Sequence, residues 1–348
     1  MRILVTGGAG FIGSAVVRQA IATGLKIVNV DKMGYAASHL NVAGVANRSQ
    51  YRFEKADVRD RAAMKHLLHE YAPDAVIHLA AESHVDRSID DPEAFLSNNI
   101  TGTFSLLEAA RDYWQVSGPR RFFRFLHVST DEVYGSLDPG CEAREAAPLG
   151  PASPYSASKA ASDHLALAWH RTYGLPVIVS RSSNNYGPCQ HPEKLIPMVV
   201  LNASEGREIP VYGTGANLRD WLFVEDHARA LLRIVADGSP GETYNVGSNA
   251  ARANIDVVRA LCEILDQKRP PGAPHGRLID FVADRPGHDL RYSMDWTKIR
   301  RDLDWEPSTR FEIGLEATVD WYLASPGWVA AARQRGFRPV RRGLAGGR

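Results

Sequence analysis

Three neighbouring side chains in "VSTDEVYG", Thr130, Asp131 and Glu132, set a hydroxyl beside two carboxyls where an apolar run stops. Such a pair is either an acidic turn facing water or two acids delivered by a buried strand for proton transfer. Further along, "PYSASKAASDHLALAWH" places Tyr155 and Lys159 at i and i+4, on one face of a helix. A phenol, with a pKa near ~10, becomes a usable base only beside positive charge, and the ammonium four residues on can supply part of it, beside an oxidised nicotinamide. The plainer alternative is a surface contact on an amphipathic helix.

A third pattern is "VTGGAGFIGSAVV", where Gly7, Gly10 and Gly13 follow a strand and open a helix. The spacing is one residue wider in its first interval than the usual dinucleotide fingerprint, but the physics is shared. Glycines permit a tight turn and close backbone approach, and the helix N-terminus can receive a pyrophosphate. A second strand, "KIVNVD", ends in Asp31. A carboxylate there accepts hydrogen bonds from both ribose hydroxyls and repels a 2′-phosphate, which favours NAD over NADP. Lys32 beside it weakens that exclusion, and a helix-capping aspartate is the other reading. Asp57, next to Val58, ends a third strand within reach of an adenine amine. Leu79, Ala80 and Ala81 end a fourth and suit a wall under a cofactor.

These residues need a frame to bring them together. Short β-rich runs, "RILVTG", "KIVNVD", "YRFEKAD", "DAVIHLAA", "FRFLHVST" and "PVIVSR", alternate with amphipathic stretches such as Gly13 to Thr23, Arg61 to Tyr71 and Asn99 to Tyr113. Nearly continuous apolar strands are buried on both faces. The pattern predicts an α/β fold, a Rossmann-like doubly wound parallel sheet whose carboxyl edge gathers the motifs. After Arg181 prolines and glycines break the rhythm. We expect residues 1–181 to form the nucleotide-binding domain, with 221–250 returning to it. A smaller substrate lobe is expected within 182–338, from 182–220 and 251–338, with a disordered tail at 339–348. "RPPGAPHG" reads as a loop.

Composition narrows the class. The 348 residues are 44% apolar and 23% charged, as in an ordinary globular enzyme. A formal net charge of +1 gives no electrostatic case for nucleic acid or an anionic membrane as main partner. Cys141, Cys189 and Cys262 are odd in number and lack ligand spacing, which argues against a disulfide framework or a metal site and fits a reducing cytoplasm. The N-terminus enters a strand at once, unlike a signal peptide, and no apolar run approaches the ~20 residues that span a bilayer.

In combination, the glycine turn, the Ser129/Thr130 strand end and Tyr155-x-x-x-Lys159 resemble the extended short-chain dehydrogenase/reductase superfamily. That resemblance implies Tyr155 as acid/base, Lys159 lowering its pKa and holding a ribose, and Thr130 holding a substrate hydroxyl. Within it, Thr130-Asp131-Glu132 resembles the dTDP-glucose 4,6-dehydratases, as do "HLAAESHVDRSI", "SNNYGP", "PEKLIP", "RDWLFVEDH" and "RPGHDLRY". Related 4-epimerases and decarboxylases lack the adjacent acids.

The implied reaction explains the pair. Oxidising a hexose at C4 acidifies its C5 proton; a base then removes that proton while an acid protonates the departing C6 hydroxyl. One carboxyl cannot easily do both, and two in different environments can. The resemblance makes Glu132 the base and Asp131 the acid. It implies NAD contacts from Gly7, Gly10, Phe11, Ile12, Gly13, Asp31, Lys32, Asp57, Val58, Leu79 to Ala81, Ser83, Asn98, Ser129 and Asn184, besides Tyr155 and Lys159. On the sugar-nucleotide side it implies Ser83, His84, Asn185, Glu193, Lys194, Arg219, Asn254, Arg285 and His288, with Asp86 close by. It also implies a role in deoxysugar supply, such as rhamnose, and a homodimer packed as a four-helix bundle from Asn99–Trp114 and Tyr155–Tyr173. The chain departs from the pattern at Asn98, at His191 and in "KMGYAAS", which touches the cofactor grip rather than the core chemistry. A sibling activity on another nucleotide, and a non-catalytic NAD-binding regulator, are the alternatives.

Overall fold

Apolar strands with no polar face demand cover on both sides, and the central sheet has it. The computed structural model describes residues 1–118 and 122–335. Its strands begin β1 (Arg2–Thr6), β2 (Lys26–Val30), β3 (Tyr51–Glu54), β4 (Ala75–His78), β5 (Arg124–Thr130) and β6 (Val177–Ser182). Short strands β7 (Asn184–Tyr186), β8 (Ile209–Tyr212) and β9 (Leu218–Phe223) follow. The chain then returns as β10 (Thr243–Val246), before β11 (Ala251–Ala253) and β12 (Ile279–Val282). Among the described residues the main sheet has seven strands, all parallel, in the order β10-β6-β5-β4-β1-β2-β3. Strand order reverses between β1 and β4, and in such sheets the crevice beyond the carboxyl ends at that point takes the ligand.

The helices are α1 (Phe11–Ala22), α2 (Arg61–Tyr71), α3 (Val85–Asp90), α4 (Pro92–Phe95), α5 (Gly102–Ser117), α6 (Pro154–Tyr173), α7 (Leu195–Ser204), α8 (Val224–Asp237), α9 (Asn254–Lys268), α10 (Thr297–Leu303), α11 (Phe311–Ala324) and α12 (Pro326–Gln334). Alternation along the strands divides the core. Ile3, Val5, Ile77 and Leu126 face α1 and α8, whereas Leu4, Val28, Val76 and Phe125 face α2 and α5. A third core joins Tyr186, Val199, Trp221, Leu261, Leu315 and Tyr322 from α7, α9, α11 and the short strands. Ile299 and Leu303 of α10, with Trp305, pack into the first core instead, although they fall within the stretch expected to form the smaller lobe. Their apolar spacing fits either surface, and only the chain path decides.

Local details differ from expectation in small ways. The helix expected from Asn99 opens with a π turn, Leu96–Thr101, before α5. The "RPPGAPHG" loop contains two 3₁₀ turns, Pro270–Gly272 and His275–Leu278. Among the described residues no helix is long and apolar enough to cross a membrane. The tail from 339 to 348 lies outside the described residues.

Candidate active site

The glycine turn after β1 is as tight as its sequence requires. Gly7 has φ +73°, and a Cβ there would sit 2.8 Å from the Ala80 amide nitrogen. A Cβ on Gly13 would lie 2.2 Å from the Gly7 carbonyl oxygen. Helix α1 starts at Phe11 with no side-chain cap and no acid in its first turn, so its N-terminal amides are available to an anion. Asp31 accepts hydrogen bonds from the Ala9 amide (3.1 Å) and the Met33 amide (2.8 Å). Burial still holds its pKa above the usual value.

A cleft of about 1330 Å³, counting its open mouth, runs from this turn to Tyr155 and Lys159. Of the expected cofactor set it is lined by Gly7, Gly10, Phe11, Ile12, Gly13, Asp31, Lys32, Val58, Leu79, Ala80, Ala81, Ser83, Asn98, Ser129, Tyr155 and Lys159. Asn98 accepts from the Lys32 ammonium at 2.6 Å, so this departure from the family pattern anchors a neighbouring cation. Asp57 is held by a neighbour. Its carboxylate is forked by Arg59 (2.7 to 3.1 Å), which overcomes the upward pull of partial burial and lowers its pKa. Asn184 keeps a buried amide oxygen with no hydrogen-bond partner, a free acceptor that suits a carboxamide.

Helix α6 positions the pair. Ser153 and Ser156 form a reciprocal capping box, Pro154 takes the first turn, and Gly174 ends the helix in the left-handed conformation. Tyr155, Lys159 and Asp163 then share the buried face. The Lys159 ammonium donates to the Val128 carbonyl at 2.7 Å; burial lowers its pKa to about 8, against the pull of Asp163. Asp163 is itself held by Arg181 at 2.8 Å. The Tyr155 phenol is pushed up, first by burial and then by Glu132, while the Thr130 hydroxyl bonded to it acts in the opposite sense. In the protein alone, burial and Glu132 thus outweigh the downward pull of the Thr130 hydroxyl on the phenol.

β5 ends in Thr130, whose hydroxyl accepts from the Glu132 amide (3.3 Å) and donates to an Asp131 carboxylate oxygen (3.2 Å). The two acids sit in unlike surroundings. Asp131 is 2% exposed, and its second carboxylate oxygen has no partner. Burial first, then the charge of Glu132, drive its pKa well up. Glu132 is also raised by burial, but Arg285, Lys194 and Arg219 oppose the shift. The question posed by the adjacent acids is thus answered in physical terms: neither is an acid of a solvated turn.

Of the expected sugar-nucleotide residues, Ser83, Glu193 and Lys194 line the cleft, and Lys194, Arg219 and Arg285 bring positive charge to Glu132. Arg219 donates to the Asp289 carbonyl at 2.7 Å and stacks over Tyr292 at 4.2 Å. Arg285 pairs with Asp86 at 2.9 Å and keeps its Nε unpartnered. His288 bonds Asp284 at 2.6 Å. His84, its pKa lowered to about 4 by burial, has a buried Nδ1 without a partner. Lys194 donates to the Ser83 carbonyl at 2.7 Å. Asn254 opens α9 with a buried, unpartnered amide oxygen. Asn185 is committed elsewhere, to the Ser183 carbonyl at 2.9 Å and the His227 ring at 2.8 Å. The carboxylate of Glu193 is taken at both oxygens, by Tyr35 (2.7 Å) and Arg87 (2.9 Å). Sequence reasoning missed Tyr35, Arg87, Tyr212 and Tyr292. Their only signal was position within the "KMGYAAS", "HVDRS" and "RPGHDLRY" segments and just before Gly213.

Comparison with known proteins agrees with this geometry. A family model described as GDP-mannose 4,6 dehydratase matches residues 4–318. A probable dTDP-glucose 4,6-dehydratase of Sinorhizobium fredii is 53% identical over 99% of both chains. The dTDP-glucose 4,6-dehydratase 1 of Escherichia coli is 54% identical over 94% of both. The crystal structure of dTDP-glucose 4,6-dehydratase from Streptomyces venezuelae, with NAD bound, superposes with a TM-score of 0.89 at 44% identity, covering 95% of this chain and all of that one. A relative more than half identical along nearly the whole length, on the same fold, places this chain in the dTDP-glucose 4,6-dehydratase family, within the extended short-chain dehydrogenase/reductase superfamily.

Proposed function

We propose that the chain is a hydro-lyase that uses NAD to convert dTDP-glucose to dTDP-4-keto-6-deoxyglucose and water. The observation that carries this reading is the unlike pair at the end of β5: Asp131 buried and driven towards its protonated form, Glu132 facing three cations. The cradle fits the cofactor, since side chains at Gly7 and Gly13 would fill it and α1 leaves its amides uncapped. When bound, NAD supplies a hydride acceptor and donor and a positive ring charge in the cleft that Tyr155 lines. Gly7, Gly10 and Gly13 would cradle the pyrophosphate, Asp31 the adenosine ribose, and Lys159 the other ribose. Phe11, Ile12, Lys32, Val58, Leu79 to Ala81, Ser83, Asn98 and Ser129 would wall it.

In this reading Tyr155 takes the C4 hydroxyl proton, and Thr130 hydrogen-bonds the C4 oxygen. Glu132 removes the proton from C5, and Asp131 gives its proton to the C6 hydroxyl, which leaves as water. A proton then returns to C5. Arg219 and Arg285, with His288 and Asn254 nearby, would hold the diphosphate and nucleoside; guanidinium forks suit paired phosphate oxygens. Ser83, His84 and Lys194 would face the sugar.

Residues 1–181 with 221–250 would form the nucleotide-binding domain, and 182–220 with 251–335 most of the substrate lobe, α10 packing back on the first. A homodimer through α5 and α6 is supported by half-exposed Phe104 and Tyr173 on those helices, both edge-on to Trp169; sedimentation as a monomer would overturn it. A cytoplasmic site of action suits three cysteines, all free.

The base is the open choice, because the matching family model is named for a guanosine nucleotide and the close relatives for a thymidine one. Incubation with dTDP-glucose, UDP-glucose, CDP-glucose and GDP-mannose, followed by mass spectrometry, decides it. We expect loss of one water from dTDP-glucose fastest; turnover confined to another nucleotide would overturn the assignment.

A further inference from the structure

Two loops from different parts of the chain meet at the wall of the cofactor cleft. Tyr35 lies in the loop after β2, and His191 and Glu193 in the loop before α7; all three line the cleft. The Tyr35 hydroxyl donates to one Glu193 oxygen at 2.7 Å. Arg87 of α3 donates to the other at 2.9 Å, and its guanidinium lies 3.7 Å over the Tyr35 ring. His191 packs edge-on against the same ring, centroids 5.2 Å apart.

We propose that Tyr35, Arg87, His191 and Glu193 form a clasp that closes the cleft wall and retains the dinucleotide through turnover. The inference rests on the dehydratase reading. A reaction that oxidises a sugar and then reduces the same sugar needs its cofactor to stay bound in both redox states. Loss of the reduced form would leave the enzyme unable to start again. The clasp has the composition for that task. Its carboxylate is 8% exposed at the side chain and satisfied at both oxygens, and a charge-assisted bond there is stronger than a neutral one. A guanidinium stacked on a phenol adds attraction without a further donor. Both loops are anchored behind the clasp. Ser38 donates to the Ala9 carbonyl at 2.9 Å, which ties the first loop to the glycine turn. Tyr322 of α11 donates to the Gln190 carbonyl, which ties the second loop to the third core. Opening the cleft at this wall therefore means breaking the contact between two fixed points. The same arrangement gives a use to His191 and the "KMGYAAS" loop, where the chain departs from its family's pattern.

The test uses holoenzyme carrying Tyr35→Phe, which removes one hydrogen bond and keeps the ring, and separately Arg87→Lys, which keeps the charge and loses the fork and the stack. Each is incubated with an enzyme that destroys free NAD, and bound NAD is followed by mass spectrometry, with thermal melting to confirm folding. We expect both variants to lose NAD about tenfold faster than wild type or more, and the activity lost with it to return on adding NAD. Retention equal to wild type in either folded variant, or lost activity that added NAD does not restore, overturns the clasp. Failure of wild type to dehydrate dTDP-glucose would overturn the dehydratase reading instead, and the NAD-loss rates would still report on the clasp.

Discussion

At the scale of single residues, the site separates functions by environment rather than by residue type. Asp131 and Glu132 are neighbours in sequence, yet burial and the charge of Glu132 drive Asp131 well up against Arg219, whereas Glu132 faces Arg285, Lys194 and Arg219. Removing the base at Glu132 or the acidic proton at Asp131 should stall elimination and spare C4 oxidation. Glu132→Gln and Asp131→Asn are therefore expected to accumulate enzyme-bound reduced cofactor, seen as nicotinamide absorbance, with turnover down about 10²-fold or more. Lost C4 oxidation with fast dehydration of a supplied 4-ketosugar would reverse the assigned roles. Lys159 gives a second expectation. Burial lowers its pKa to about 8, so it is cationic below that pH and neutral above it. A neutral Lys159 cannot support a phenolate at Tyr155, so kcat/KM should fall as pH rises through about 8. Asp163→Asn removes the charge that holds the Lys159 pKa up and should move that limb to lower pH. A flat profile up to pH ~10 would separate Lys159 from catalysis.

At the scale of elements, the glycine turn and α6 show how backbone geometry sets the chemistry. Gly13→Ala would force a methyl to 2.2 Å from the Gly7 carbonyl oxygen, and the turn must open to admit it. The expected cost is about 1–3 kcal/mol of stability, with a matching loss of co-purifying NAD, measured by thermal melting and by cofactor content. A variant with unchanged melting and full NAD would show that the turn is looser than drawn. The parallel strands, the glycine turn and the Tyr155–Lys159 face were legible because period and turn chemistry are local properties. The Tyr35–Glu193 and Asp86–Arg285 contacts were not, since each joins segments more than a hundred residues apart, and no local pattern records such a pairing. Nor can the Tyr–Lys spacing register burial and Glu132, which raise the Tyr155 phenol in the protein alone. Asp57 shows the same limit: its place just after a strand was legible, its ion pair with Arg59, two residues on, was not.

At the scale of the whole molecule, the fold brings the proposed oxidising set and the proposed eliminating set to one sheet edge. Tyr155 and Lys159 come from α6, Asp131 and Glu132 from the end of β5, and Thr130 touches both groups through its hydroxyl. If both sets act on one bound sugar, the hydrogen removed from C4 returns to that same sugar. After elimination the position able to receive it is C6, because C5 has lost its proton and C6 its hydroxyl. Substrate deuterated at C4 should therefore give product with the label in the C6 methyl group. Reaction in heavy water should add a solvent label at C5, where the proton is lost to a carboxylate and replaced. Crossover distinguishes one sugar from two: labelled and unlabelled substrate carrying different sugar masses should exchange no deuterium. A 4-epimerase would return the label to C4, and a dehydrogenase would release it to the medium on reduced cofactor. Proton NMR and mass spectrometry of the product separate these outcomes, and deuterium anywhere but C6 would mean that the two sets do not work on one substrate in one cleft.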